Sequence, residues 1–145
     1  MAKQRRRKQF AALPYRPIED GRIEVLLVTS RDTGRWVLPK GWPMKKHAPH
    51  VAAAIEAFEE AGAVGKPSKQ AIGTYEYEKQ TATDSVPCRV TVYPLRVERL
   101  EDTWPEQDER RRVWFQPEVA AEQVQEPDLR ALLQRIEEAF APAAS

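Results

Sequence analysis

Apolar and polar positions divide this chain into short strand-like runs, one acidic helical stretch and an apolar helical stretch near the C-terminus. Gln9 to Tyr15 reads as a first strand, and after the Asp20-Gly21 turn the run Ile23, Val25, Leu26, Leu27, Val28 predicts a central strand over Arg22 to Ser30. Arg31-Asp32-Thr33-Gly34 turns the chain into a short strand, Arg35 to Leu38, that stops at Pro39. Lys40 to Pro49 carries Gly, two Pro, three Lys and a His, a composition suited to irregular backbone near a ligand. A helix follows from about Pro49 to Ala61, with Gly62 placed to stop it as a left-handed residue.

Downstream, Ala71 to Lys79 (Ile72, Tyr75, Tyr77) and Arg89 to Val97 (Val90, Val92, Tyr93, Leu95, Val97) read as antiparallel strands joined through Asp84-Ser85-Val86-Pro87. Pro94 inside the second implies a sheet edge or a bulge. Leu100 to Arg111 reads as a charged loop and Val113-Trp114-Phe115 as a last strand. Pro117 and Pro127 open helices over Glu118 to Gln125 and Asp128 to Phe140, the latter with Leu129, Leu132, Leu133, Ile136 and Phe140 at helical spacing as core residues. Strands interleaved with one middle helix and C-terminal helices predict an α/β or α+β fold, a mixed sheet sandwiched between helices.

Composition narrows this picture. At 145 residues and 41% hydrophobic content the chain suits one core, so residues 9–145 are expected to form a single domain. The basic run Arg5-Arg6-Arg7-Lys8 marks residues 1–8 as a flexible basic tail, solvated or touching an anionic partner. The apolar stretch after it is too short for a signal peptide, and no stretch approaches membrane-spanning length, so a cytoplasmic protein without membrane contact is expected. A net charge of +1 gives no call for nucleic acid, and the single cysteine, Cys88, fits a reducing compartment and a strand-edge or buried thiol.

The candidate chemistry lies on the acidic helix. Glu56, Glu59 and Glu60, at i, i+3 and i+4, share one face, while Val51, Ala54, Ile55, Phe58 and Ala61 cluster on the other side. Like charges this close repel unless a cation sits among them, and a hard divalent ion is the natural occupant; a solvated, Glu-rich surface is the plain alternative. The i, i+4 pair Glu56 and Glu60 sets two oxygens side by side for one or two cations.

With Gly41 fifteen residues before Glu56 and Gly62 two residues after Glu60, the segment resembles the Nudix hydrolase signature, Gly-x5-Glu-x7-Arg-Glu-U-x-Glu-Glu-x-Gly-U, where U is aliphatic. The resemblance covers about Gln9 to Phe140 and implies the Nudix fold, a single Nudix domain and metal-dependent hydrolysis of a diphosphate linked to another moiety. It makes Glu56 and Glu60 metal ligands, with Gly41 letting the backbone approach the metal, and Glu59 the general base. A later carboxylate, Glu98, Glu101, Glu106, Asp108 or Glu109, is the alternative base. Mg²⁺ is the implied metal, with Mn²⁺ as substitute. Two positions depart from the signature: His47 stands where its first Glu is usual and Ile55 where its Arg is usual. Losing those supports would weaken metal binding or raise a carboxylate pKa, which leaves open a Nudix-like domain that binds a nucleotide or polyphosphate as a sensor without turnover.

Ser30-Arg31, Leu100-Glu101-Asp102-x-Trp104 and Arg110-Arg111-Arg112-x-Trp114-Phe115 resemble the diphosphoinositol polyphosphate phosphohydrolase branch, which also takes diadenosine polyphosphates. That implies a small-molecule polyphosphate substrate. Guanidinium forks suit phosphate oxygens, so Arg31 and Arg110 are expected on phosphate, with Lys40, Arg89, Lys45 and Lys46 as neighbours and Arg35 structural. Trp42 would stack on an adenine or cap the core. His47 would touch the metal site or stay exposed, and His50 is expected exposed.

Overall fold

The computed structural model describes residues 6–140, so positions 1–5 of the expected tail and 141–145 of the expected domain lie outside it. Eight strands form one mixed sheet: β1 (Arg7–Pro17), β2 (Ile23–Thr29), β3 (Trp36–Val37), β4 (Lys40–Gly41), β5 (Ala63–Pro67), β6 (Gly73–Gln80), β7 (Ser85–Leu100) and β8 (Arg112–Phe115). The helices are α1 (Pro49–Ala61), α2 (Pro117–Gln123), α3 (Pro127–Gln134) and α4 (Ile136–Phe140). β1 and β7 run parallel at the centre, from Arg7 beside Cys88 to Tyr15 beside Arg96. β2 and β4 flank β1 antiparallel, β3 and β8 flank β2, and β5 and β6 share the far side of β7.

Alternation along the strands sends side chains to two cores. Ala11, Leu13, Val25 and Leu27 pack with Leu129, Leu132, Leu133 and Ile136 on one face, while Ala12, Leu26 and Val28 pack with Ala53, Ala57 and Ala61 of α1 on the other. The sheet is therefore sandwiched between helices, as the pattern predicts. The alanines bring α1 close to the sheet. Phe58, by contrast, is 39% exposed, so the face that α1 buries is alanine and not the larger apolar cluster expected for it.

Several expectations are revised. β1 starts at Arg7, placing Arg7 and Lys8 in a strand. Pro94 lies at neither an edge nor a bulge. Its carbonyl accepts from Ser68 N at 2.9 Å, so its missing N–H points to the stretch where β5 hands over to β6 and no ladder partner is lost. β5 was not expected at all, and β7 runs on to Leu100 because β5 pairs with it. The last helix divides at Arg135 (φ −114°, ψ 9°), which turns Ile136 into the core and brings Glu137 to accept from Ile23 N at 3.2 Å. Cys88 is buried.

Candidate active site

The carboxylate helix starts at Pro49, whose fixed φ suits a first helical position, and stops at Gly62, where φ is +65° and the N–H bonds to Phe58 O at 2.9 Å. Its C-terminal turn is fastened from outside. Trp104 Nε1 donates to Glu60 O (3.0 Å), Arg112 Nη1 to Ala61 O (2.8 Å), Glu106 N to Glu59 O (3.0 Å) and Glu101 N to Gly62 O (2.8 Å). Two of these donors are side chains, and the Arg112 guanidinium also lies 3.9 Å from the Trp104 ring centre, a cation placed at the negative end of the helix.

Glu60 falls seven residues after Ala53, on the face of α1 that meets the sheet, and is 6% exposed. Its Oε2 accepts from Lys40 N at 3.4 Å and its Oε1 lies 3.6 Å from Arg110 Nη1. Half-buried Glu56 lies against Gly41 so closely that a Cβ there would stand 2.0 Å from Glu56 Oε2 and 2.4 Å from Cδ. Gly41 is required by this approach and not by its backbone angles, since the glycines with positive φ are 21, 34 and 62.

Burial, then the Glu59 and Glu106 carboxylates nearby, pushes Glu56 up to about 7. Burial pushes Glu60 up to about 8, opposed by Arg110 and Lys40 and reinforced by Glu56 and Glu106. Lys40 is lowered, again by burial first, against the pull of Glu60. Desolvation thus outweighs the attraction between Glu60 and Lys40, and without a further cation both carboxyls resist ionising.

These groups open on a cavity of about 430 Å³. Its acidic lining is Asp32, Glu56, Glu60 and Glu106, and its basic lining Arg31, Lys40, Lys79 and Arg110. Gly41 and Trp42 also line it, and Trp42 is 40% exposed. A smaller cavity of about 130 Å³ adjoins it, shares Lys40, Tyr77 and Lys79, and adds Arg35 and Glu126. Tyr77 donates to Gln9 Oε1 at 2.5 Å, and the Lys40 ammonium lies 4.9 Å from the Tyr77 ring centre.

Of the residues singled out from the sequence, Glu56, Glu60, Gly41, Arg31, Lys40 and Arg110 come together here. Glu59 is half-buried beside Glu56 but is not part of the lining. Arg89 is exposed on β7, in register with Glu76 and Lys8, away from the cavity. His47, Lys45 and Lys46 are exposed and also outside it, while His50 is half-buried. Arg31 reaches Glu106 (3.9 Å) and Glu109 (3.6 Å) at the rim. Gln9, Tyr77 and Lys79 went unnoticed in the sequence because strand alternation marks which side of the sheet a residue faces, and not what stands over it.

The donor set fits a hard divalent cation. Its oxygens come from carboxylates that burial keeps from ionising, and Gly41 leaves the space in which the Glu56 carboxylate lies. Among the described residues no three of His, Cys, Asp and Glu close on one point as a complete cage. A hard ion that binds together with phosphate commonly takes one or two carboxylates, with water and phosphate oxygens as its other ligands.

Comparison with known proteins bears on the family and the fold. Human diphosphoinositol polyphosphate phosphohydrolase 3-alpha is 34% identical over 122 residues, covering 82% of this chain and 70% of that protein. Nudix hydrolase 16, mitochondrial, of Arabidopsis thaliana is 33% identical over 109 residues, covering 72% of this chain; the chain spans 60% of that relative's length. A crystal structure of C. elegans Ap4A hydrolase shares the fold with a TM-score of 0.67 at 18% identity, covering 94% of this chain and all of that one. The NUDIX domain model matches residues 6–136, and the chain belongs to that family.

Proposed function

We propose that this chain is a metal-dependent pyrophosphohydrolase that cleaves a phosphoanhydride bond in a nucleoside or inositol polyphosphate, with Mg²⁺ as its ion and Mn²⁺ as a substitute. Nudix hydrolases generally use divalent ions. The observation that carries the reading is the pair Glu56 and Glu60, desolvated, held from ionising by burial and by neighbouring carboxylates, and opening on a cavity with four basic side chains. Bound there, the ion would neutralise phosphate oxygens and lower the pKa of the attacking water.

The protein's own groups supply the rest. Glu56 and Glu60 would hold the ion, with the backbone at Gly41 passing close enough to contribute. Arg31 at the rim, with Lys40 and Lys79 in the lining, would bind phosphate oxygens and orient the chain of phosphates. Glu59 is the general base in this reading. Glu106 lines the cavity, but one of its oxygens accepts from Arg110 Nε at 2.7 Å, which leaves it less free to take a proton. Trp42 at the rim offers an aromatic face to a nucleobase.

Product chromatography with Mg²⁺ against dinucleoside polyphosphates, nucleoside diphosphate sugars and inositol pyrophosphates tests the reading. Turnover of a dinucleoside polyphosphate is the expected result; tight binding without turnover of any of them refutes hydrolysis and leaves a sensor. Glu59→Gln should reduce the rate by about 10²–10⁴-fold, the usual size of a general-base contribution, with an unchanged melting temperature. Retained activity there, with loss in Glu106→Gln, would transfer the role to Glu106.

A further inference from the structure

Resting on the metal-site reading above, we propose that Arg110 is a positioning residue that replaces, from a distant loop, the cation missing at Ile55. α1 holds no Lys or Arg: its sequence is PHVAAAIEAFEEA, with Ile55 next to Glu56 and one turn before Glu59. Three carboxylates on one helix therefore have no positive partner of their own, and two of them lie beside a cavity wall that also carries Glu106. Repulsion of this kind misaligns carboxylates unless a cation holds them.

Arg110 is that cation by position. Its side chain is 9% exposed, as deeply buried as that of Glu60, at 7%. Nε donates to Glu106 Oε1 at 2.7 Å, Nη1 donates to Thr29 O at 2.9 Å, and the same Nη1 stands 3.6 Å from Glu60 Oε1. One rigid fork thereby ties the end of β2, α1 and the loop before β8 to one another, as a planar guanidinium can and an ammonium cannot. The loop itself is locked to α1 by the bonds from Trp104, Glu106 and Glu101, so the guanidinium has little freedom to follow a substrate. Contacts on three elements describe a residue that holds Glu60 and Glu106 in place, and not one that waits for phosphate. Arg31, more than half exposed at the rim, has the freedom that Arg110 lacks.

The test is Mn²⁺ binding to the full chain without substrate, followed by electron paramagnetic resonance, in Arg110→Met, Arg110→Lys, Ile55→Arg and the double variant Ile55→Arg/Arg110→Met. Arg110→Met should weaken Mn²⁺ binding at least tenfold, Arg110→Lys less, and the double variant should recover most of the loss. Ile55→Arg alone should change binding by less than about twofold, because the cation is already supplied. Where a dinucleoside polyphosphate is turned over, Arg110→Met should lower kcat and leave KM within about twofold. Mn²⁺ binding unchanged or tighter in Arg110→Met, no recovery in the double variant, or a raised KM alone would overturn the proposal and make Arg110 a phosphate contact. If Arg110→Met does not fold, Ile55→Arg still decides, since a tenfold gain there would mean that the site lacks its cation. A native chain that binds no Mn²⁺ refutes the metal-site reading itself, a different outcome from any of these.

Discussion

Gly41→Ala separates chemistry from stability. The added Cβ would stand 2.0 Å from Glu56 Oε2, and ordinary contact begins at 3.4 Å, so the carboxylate must retreat by about 1.4 Å (3.4 − 2.0). The backbone at 41 accepts alanine, because its φ lies outside the left-handed region. What moves is the free end of one side chain. Turning it costs about 0.5–1.5 kcal/mol, while alanine returns about 0.4–1 kcal/mol by restricting the unfolded chain. The two nearly cancel, and at about 2–4 °C per kcal/mol the melting temperature should move by no more than a few degrees.

Activity should respond differently. A misplacement of about 1 Å at a reacting centre costs on the order of 10²-fold, and here the displaced group is a proposed metal ligand. Thermal melting of the metal-free chain and steady-state hydrolysis with Mg²⁺ are the paired measurements. Hydrolysis within about threefold of the native chain would show that the Glu56 carboxylate is not needed where it stands. A fall of more than about 10 °C in melting temperature would show that Gly41 is a folding residue, and either result refutes the reasoning.

Gly65→Ala is the converse. Its Cβ would meet Arg96 O at 1.9 Å and Val97 Cα at 2.9 Å, backbone atoms that cannot rotate away, so β5 must shift off β7. A loss of at least about 1–3 kcal/mol in urea unfolding is expected, with Mg²⁺ affinity retained in the folded fraction; unchanged stability would contradict the β5 pairing. The raised carboxyls give a pH prediction. With Glu56 near 7 and Glu60 near 8 against an ordinary 4.5, the folded, metal-free chain keeps protons that the unfolded chain has lost. Metal-free stability should fall as pH rises from about 5 to 8 and level off above it, and Mg²⁺ binding at pH 7 should release about 1–1.5 protons, few above pH 9. Calorimetry in buffers of different ionisation heat reads that number, and no release at pH 7 would mean that the carboxyls are already ionised.

The strands that could be read from the sequence are those whose side chains carry their own pattern. Ile23 to Thr29 and the helix from Pro49 to Ala61 needed nothing beyond apolar runs, a proline start and a glycine stop. β5 could not be read that way, since Ala63-Val64-Gly65-Lys66-Pro67 contains residues that strands disfavour and owes its conformation to the neighbouring Leu95 to Leu100. For the same reason the charged end of β7 read as loop. Phe58 misled in the opposite direction: helical spacing placed it with apolar residues, but the sheet takes the alanine face, where small side chains allow close approach.

The site divides along the same line. Glu56, Glu59, Glu60 and Gly41 lie in one stretch of chain at fixed spacings, so their register could be read directly. Their charge balance could not. Ile55 reads locally as a lost support, a conclusion that holds only if charge must come from the same helix. Arg110 lies fifty residues beyond Glu60 and meets it because β2 and β8 pair from Val25 to Val28, which carries the chain just before β8 to the end of β2 and so to Thr29 O. A spacing rule sees neighbours within a turn, whereas electrostatics acts through space. The departure at Ile55 thus bears on where the cation comes from, and the Ile55→Arg variant measures whether one is still needed.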